Sequence, residues 1–383
     1  MHYPESKLPK VGTTIFSVMS HLAAQHDAVN LSQGFPDFEG PELMRERVAF
    51  YMANGANQYA PMTGAEPLRA AIAEKVQRLY GYSACSEKEV TITSGATEAI
   101  FAAISAVVRQ GDEVVVFDPA YDCYEPAIEL NGGICRHLPL SLPDFSINWD
   151  LLKDTLSPRT RMIIVNTPHN PSGATLSRTD LDLLAELIRD THILLLGDEV
   201  YEHIVFDQQP HNSLLCHSEL AARSFVVSSF GKTYHTTGWK VGYCIAPEPL
   251  TTELRKVHQY LTFSTATPFQ LAIADYMQQH PEYTTALPGF YQEKRDLFCQ
   301  LLQSSSFDFS PTKGTYFQLV DYSRISEMDD VSFARWLTSE KGVAAIPVSV
   351  FCEQPVPDMK LVRFCFAKGE QTLHLAGERL SQL

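Results

Sequence analysis

The chain has 383 residues, 45% hydrophobic and 20% charged, enough for two domains or one large α/β unit with a core that needs no staples. Thirty Lys and Arg against 45 Asp and Glu give a formal charge of −15, which argues against a nucleic-acid or anionic-membrane partner. No apolar run approaches the ~18–20 residues of a membrane span, and the N-terminal MHYPESKLPKVG lacks the hydrophobic stretch of a signal peptide.

The first ~45 residues are punctuated by Pro and Gly. EVTIT (89–93) then reads as a strand, followed by SGATEAIFAAISAVVRQG as a turn and helix. Further strands are predicted at EVVVF (113–117), RMIIV (161–165), HILLLG (192–197) and SFVVSS (224–229). Near-continuous apolar strands separated by helical patterns predict a mostly parallel sheet covered on both faces. After about residue 285 the texture changes. FYQEKRDLFCQLLQSS reads as a helix; GTYFQLVDY, GVAAIPVSVF and KLVRFCFA read as strands, with one helix around 330–341. The expectation is an α/β large domain over 48–285, with 1–47 and 286–383 forming an N-terminal arm and a smaller α+β domain. The eight cysteines form no CxxC pair, and their spacing suits neither a zinc site nor a disulfide scaffold. They read as buried reduced thiols, which predicts a cytoplasmic protein.

In open parallel sheets, ligands bind outside the carboxyl ends of the strands. The residues just after these strands are Ser94 to Thr97, Tyr121, Asn166 with His169 and Asn170, Asp198 with Tyr201, and Ser229 with Lys232 and Lys240. Gly231-Lys232-Thr233 matches the last three positions of a Walker loop, but the required earlier glycine is Val226, so that reading fails. The remaining chemistry for such a lysine is a Schiff base with an aldehyde cofactor. Pyridoxal phosphate needs a lysine for its aldehyde and an acid for its pyridine nitrogen. Lys232 and Asp198 can supply them, although Asp198 also reads as a helix N-cap before EVYEHI. Tyr201 and Asn170 suit the phenolic oxygen, Tyr121 suits the ring face, and the helix opening at Ala96 and Thr97 with Ser229 and Lys240 suits a phosphate. Tyr201 reads equally well as a core tyrosine.

SSFGKTYHTTGWKVGY resembles the lysine-attachment motif of class I/II (fold-type I) pyridoxal-phosphate aminotransferases. NTPHNPSG, DEVY and SGATEA resemble that family's other signatures in the same order, and LSQGFPDF and LVRFCFAKG extend the likeness over nearly the whole chain. Within the family the chain resembles the methionine/kynurenine (glutamine-type) branch. The resemblance implies a fold-type I architecture and pyridoxal 5'-phosphate bound covalently to Lys232. It implies that Asp198 pairs the pyridine nitrogen, that Tyr201 and Asn170 bond the phenolic oxygen, and that Tyr121 stacks on the ring. Ala96, Thr97, Ser229 and Lys240 would hold the phosphate. Lys240 stands where the aspartate branch has an arginine, and Gly231 where many relatives have serine. Tyr59 would reach the phosphate of a neighbouring subunit, which implies a homodimer. Arg363 would clamp the substrate α-carboxylate beside the backbone of Gly34. His169 matches a supporting residue and reads equally well as a structural loop histidine.

The expected reaction is ping-pong transfer of an amino group from an amino-acid donor to a 2-oxo-acid acceptor, with Lys232 as general base and no metal. In the aspartate branch the partner chain donates an arginine from the segment after the lysine motif to meet a second carboxylate; the corresponding stretch here, HQYLTFSTATPFQ (258–270), contains none. Phe263, with Tyr59, Tyr121 and Phe16 or Ile15, would instead line an apolar pocket. Methionine is therefore expected first, then phenylalanine, tyrosine, histidine, leucine or kynurenine, with aspartate poor. A carbon–sulfur β-lyase on the same scaffold is the alternative. A non-catalytic ligand sensor fits poorly, because Lys232 and Arg363 are both present.

Overall fold

The apolar runs pair as their length and β-branching dictate. The computed structural model describes residues 3–355 and 358–383. Strand β1 (Val29–Asn30) lies in the N-terminal arm. Strands β2 (Val90–Thr93), β3 (Glu113–Asp118), β4 (Ile134–Pro139), β5 (Thr160–Asn166), β6 (Leu194–Asp198), β7 (Ser224–Ser229) and β8 (Gly242–Ile245) form a seven-stranded sheet. Their order is β2-β8-β7-β6-β5-β3-β4. Only β8 runs antiparallel to its neighbours β2 and β7.

Two of these strands are missing from the sequence reading. β4 is an edge strand whose outer residues, Ile134, Arg136 and Pro139, stay exposed, so ICRHLP lacks the apolar signature of a buried strand. β8 is four residues long and directly follows the lysine-bearing loop, so its GYCI merged with the motif there.

Even the continuous apolar strands alternate between faces. Val115, Ile163 and Leu195 pack into one core with the helix Glu66–Tyr80, while Val114, Val116, Ile164 and Leu196 pack into another against the helix Ala96–Val107. The strands are therefore buried on both sides.

A third core gathers the C-terminal residues. Strands β9 (Phe317–Asp321), β10 (Val343–Ala344), β11 (Ile346–Pro347) and β12 (Leu361–Cys365) surround it with the helices Tyr283–Leu302 and Asp330–Glu340. β9 and β11 flank β12 antiparallel, and β10 pairs in parallel with β1 of the arm. GVAAIPVSVF, expected as one strand, thus splits between two sheets and ends in a 3-10 turn, Ser349–Phe351. Pro347 is tolerated because β11 is an edge strand. The first of these helices begins earlier than expected and contains Pro288; burial of Leu287, Tyr291 and Phe298 outweighs the lost backbone bond.

All eight cysteines are free, but the expectation that they are buried holds only in part: Cys244, Cys299 and Cys365 are buried, whereas Cys85 is exposed. No helix among the described residues is long and apolar enough to cross a membrane.

Candidate active site

The carboxyl ends of β2, β5, β6 and β7 converge on a cavity of about 340 Å³, roofed by the arm and by β9 and β12. Lys232, Asp198, Tyr201, Asn170, Tyr121 and Ser229 all line it, as do Ala96, Thr97, Lys240, Gly34 and Arg363. Residues as far apart in sequence as Phe16 and Arg363 meet here.

Lys232 lies in the short helix Phe230–Thr233 that follows β7 directly. Its Nζ donates to the carbonyl of Gly34 at 3.0 Å, and the Tyr316 hydroxyl donates to the same oxygen at 2.6 Å. Burial pulls the lysine pKa down to about 8, helped by the nearby Arg363 and Lys240 charges and opposed by Cys365 and Asp198. A substantial neutral fraction at physiological pH makes Nζ both nucleophile and base.

Asp198 ends β6 in register with Asn166 of β5. Its Oδ2 accepts from the Tyr124 hydroxyl at 2.6 Å, and Asn166 Nδ2 donates to its backbone carbonyl at 2.9 Å. Burial raises its pKa to about 6, while the Tyr124 hydroxyl and the Val200 N–H act in the opposite sense. A buried carboxylate held near neutrality is a fitting partner for a pyridine nitrogen, because an adjacent cation restores its ionised form.

The helix Ala96–Val107 opens at Gly95, whose backbone is at φ 79° and which has no side chain to cap the first N–H groups. A Cβ on Gly95 would stand 3.2 Å from Lys240 Nζ, and one on Gly242 would strike Ala96 N at 2.8 Å. The two glycines thus let the uncapped helix end, Lys240 and β8 close on a common point. Lys240 itself is in the left-handed region at φ 53°, a strained conformation of the kind found at ligand sites. Free N–H groups, the Ser229 hydroxyl and a lysine make an anion cradle suited to a phosphate.

Across the cavity, buried Arg363 donates from Nη1 to Asn170 Oδ1 and from Nη2 to the Ser32 carbonyl, both at 2.9 Å. Its Nε is buried with no partner. The guanidinium lies 3.9 Å from the Phe317 ring centroid and 5.4 Å from that of Phe16. A buried guanidinium at the cavity wall, with more donors than its two bonds use, suits a carboxylate. The residues present therefore fit pyridoxal phosphate and an α-amino acid together.

Several named residues lie outside the cavity of this chain. Ile15 packs into the third core and does not reach the cavity, whereas Phe16 does. Tyr59 and Phe263 sit outside the cavity of their own chain. Tyr59 is 81% exposed and meets Phe263 edge-on at 5.1 Å, because Ser264 and Thr267 bond back to the carbonyls of Ala60 and Gln58 and hold the two loops together at the surface. His169 is buried, with one ring nitrogen 2.7 Å from Ser172 Oγ and the other 2.9 Å from the Pro119 carbonyl. Burial drops its pKa to about 4. It is a neutral strut of the loop behind Tyr121.

Tyr124, Tyr316, Phe317, Gln33, Phe35 and Thr237 are site residues that sequence reasoning missed. A signal existed for Tyr124, three residues beyond Tyr121 at the first position of the helix Tyr124–Leu130. Thr237 lies within the lysine motif itself, five residues after Lys232. Gln33, Phe35, Tyr316 and Phe317 come from the arm and the small sheet, whose approach no local pattern announces.

Comparison with known proteins agrees with this geometry. The model for "Aminotransferase class I and II" matches residues 26–379. The chain is 57% identical to methionine aminotransferase of Escherichia coli over 99% of its own length and 98% of that protein's. It is 34% identical to human kynurenine–oxoglutarate transaminase 3, covering 97% and 88% of the two chains. A crystal structure of an E. coli methionine aminotransferase superposes with a TM-score of 0.98 over the whole of both chains, at 57% identity. Aspartate aminotransferase of Thermus thermophilus superposes at 0.90 with 28% identity, also covering 100% of each chain. The match of sequence and fold over essentially the full length makes the chain a member of the class I and II aminotransferases, enzymes that depend on pyridoxal phosphate.

Proposed function

We propose that the chain transfers the amino group of methionine to a 2-oxo acid, with aromatic amino acids, histidine, leucine and kynurenine as secondary donors and aspartate as a poor one. The observation that carries this reading is that, among the described residues lining the cavity, Arg363 is the only guanidinium. The wall around it is made by Phe16, Phe35, Tyr121 and Phe317. A second carboxylate would lie unpaired against these rings, at a cost of several kcal/mol on the order of magnitude known for buried polar groups. A thioether is flexible and favourable beside aromatic rings. The likeness to the E. coli methionine aminotransferase supports the same reading.

In this reading Arg363 takes the α-carboxylate, and its bond to Asn170 orients the guanidinium. Pyridoxal phosphate, when bound, supplies the aldehyde that receives the amino group and a protonated ring that takes up electron density. Lys232 Nζ removes the proton from the substrate α-carbon and returns it on the other side of the transfer. Asp198, fixed by Tyr124, keeps the proton at the ring-nitrogen position. Tyr201 would bond the phenolic oxygen and Tyr121 would supply an aromatic partner for the ring. Ala96, Thr97, Ser229 and Lys240 would hold the phosphate. Phe16 and Phe317 exclude water from the Arg363 side. The steady-state kcat/KM values for methionine, phenylalanine, kynurenine and aspartate test the substrate assignment. Aspartate as the best donor would overturn it.

The segment 48–285 serves as the cofactor-binding domain, while 1–47 and 286–383 form the domain that closes on substrate. The chain works in the cytoplasm as a homodimer. Tyr59, Tyr260 and Phe263 are exposed aromatic residues close in sequence or space, as expected of a face that a partner covers. Sedimentation at assay concentration should give a dimer, and a fully active monomer would refute it.

A further inference from the structure

Outside the lining of the active-site cavity, three side chains from separate elements converge. Glu125 lies in the helix Tyr124–Leu130, His137 on the edge strand β4, and Glu353 on the loop after the Ser349–Phe351 turn. One donor atom from each lies within 4.8 Å of the others, and no ion is present. His137 Nδ1 lies 2.7 Å from Asp118 Oδ1. A cation that takes the Nε2 lone pair leaves the ring proton on Nδ1, where that carboxylate holds it. Nε2 is sealed from solvent, has no hydrogen-bond partner, and stands 3.9 Å from Glu125 Oε2, too far for a hydrogen bond. Lys10 Nζ hovers 3.8 Å from both Glu125 and Glu353 and is itself 66% exposed, so a loosely held cation already sits over the two carboxylates.

We infer that Glu125, His137 Nε2 and Glu353 bind one divalent transition-metal cation, displacing Lys10, with water completing the coordination shell. The donor set argues for the metal class. One imidazole and two carboxylates suit zinc or manganese, whereas magnesium and calcium prefer oxygen alone. Asp118 is the orienting carboxylate behind the histidine, an arrangement that recurs at protein metal centres. No spacing motif announces the site, because its ligands come from three separate elements.

The position also suggests its consequence. Asp118 Oδ2 accepts from the Glu353 backbone N–H at 2.8 Å, and the Ala120 N–H donates to the Phe351 carbonyl at 2.7 Å. The Phe351 ring packs against Phe16, centroid to centroid 5.7 Å, and Phe16 lines the active-site cavity. A cation here would clamp the loop bearing Glu353 onto the edge of the large sheet, outside the reacting groups. It is a brace and takes no part in transamination.

The test uses the cofactor-loaded enzyme, stripped with a chelator and dialysed, then titrated with Zn²⁺ by calorimetry and followed by thermal unfolding. The expected result is one Zn²⁺ per chain and a raised Tm. Glu353→Gln changes an exposed loop residue and leaves the fold intact; it and His137→Gln should each weaken Kd at least about tenfold, and Asp118→Asn by roughly 10- to 100-fold. Absence of Zn²⁺ binding by the wild-type enzyme would overturn the assignment. So would binding that Glu353→Gln and His137→Gln leave undiminished, since the ion would then sit elsewhere, for instance on thiols.

Discussion

The hydrogen bond from Tyr124 to Asp198 gives the most direct test of how the fold sets the cofactor's electronics. Both residues are buried, and the 2.6 Å contact joins a neutral hydroxyl to an ionised acceptor. Such bonds are worth about 1.5–3 kcal/mol, and one pKa unit corresponds to about 1.4 kcal/mol. Tyr124→Phe removes the bond and leaves the ring in place. The Asp198 pKa should then rise by about one to two units above its value of about 6 in the free protein. A protonated Asp198 must lose its proton before it can pair with a pyridinium. Affinity should therefore fall about tenfold for each pH unit below the Asp198 pKa. Pyridoxamine phosphate is the suitable probe, because it cannot link to Lys232, and its own phosphate ionisation is common to both proteins. Its Kd measured from pH 5 to 9 should show the break displaced upward in Tyr124→Phe. Coincident breaks in the two proteins would refute the role of Tyr124.

Arg363→Lys keeps the charge but loses the planar fork that spans Asn170, Ser32 and the incoming carboxylate, so kcat/KM should drop about 10- to 100-fold for methionine and phenylalanine alike. A loss confined to one donor would contradict the carboxylate assignment. Beneath the sheet, Lys75 and Glu202 form a buried pair at 2.7 Å, and Ser228 and Tyr243 also donate to Glu202. Lys75→Met strands that carboxylate and should cost about 3–5 kcal/mol, read from denaturant unfolding. The Glu202 pKa lies well below the usual range in the native protein: burial acts against the ionised form, but the Lys75 charge and its hydrogen bonds prevail. Its stabilising contribution is complete above the unfolded carboxylate pKa and disappears as pH falls through the folded one. The deficit of the variant should accordingly be largest at neutral pH and shrink in acid. A deficit independent of pH would mean lost packing rather than a stranded charge.

Much of this protein was legible in its sequence. The apolar runs at β3, β5, β6 and β7 could only be strands buried on both faces, and short-range chemistry fixed what followed them: the uncapped glycine turn before Ala96, the aspartate ending β6, the lysine three residues after Ser229. Those features are local, set by propensity and by the few residues a tight turn allows. The tertiary structure decided the rest. The edge strand β4 was hidden because half its side chains face water, and GVAAIPVSVF divided between two sheets because each half found a different partner. Only folding brings Arg363 and the Gly34 carbonyl across from the small sheet and the arm to face Lys232, and only folding turns Tyr124 onto Asp198. It also carries Tyr59 and Phe263 away from their own chain's cavity. Contacts between segments hundreds of residues apart are fixed by packing, which no local periodicity encodes, and it is these contacts that set the protonation and orientation of the groups the sequence had already named.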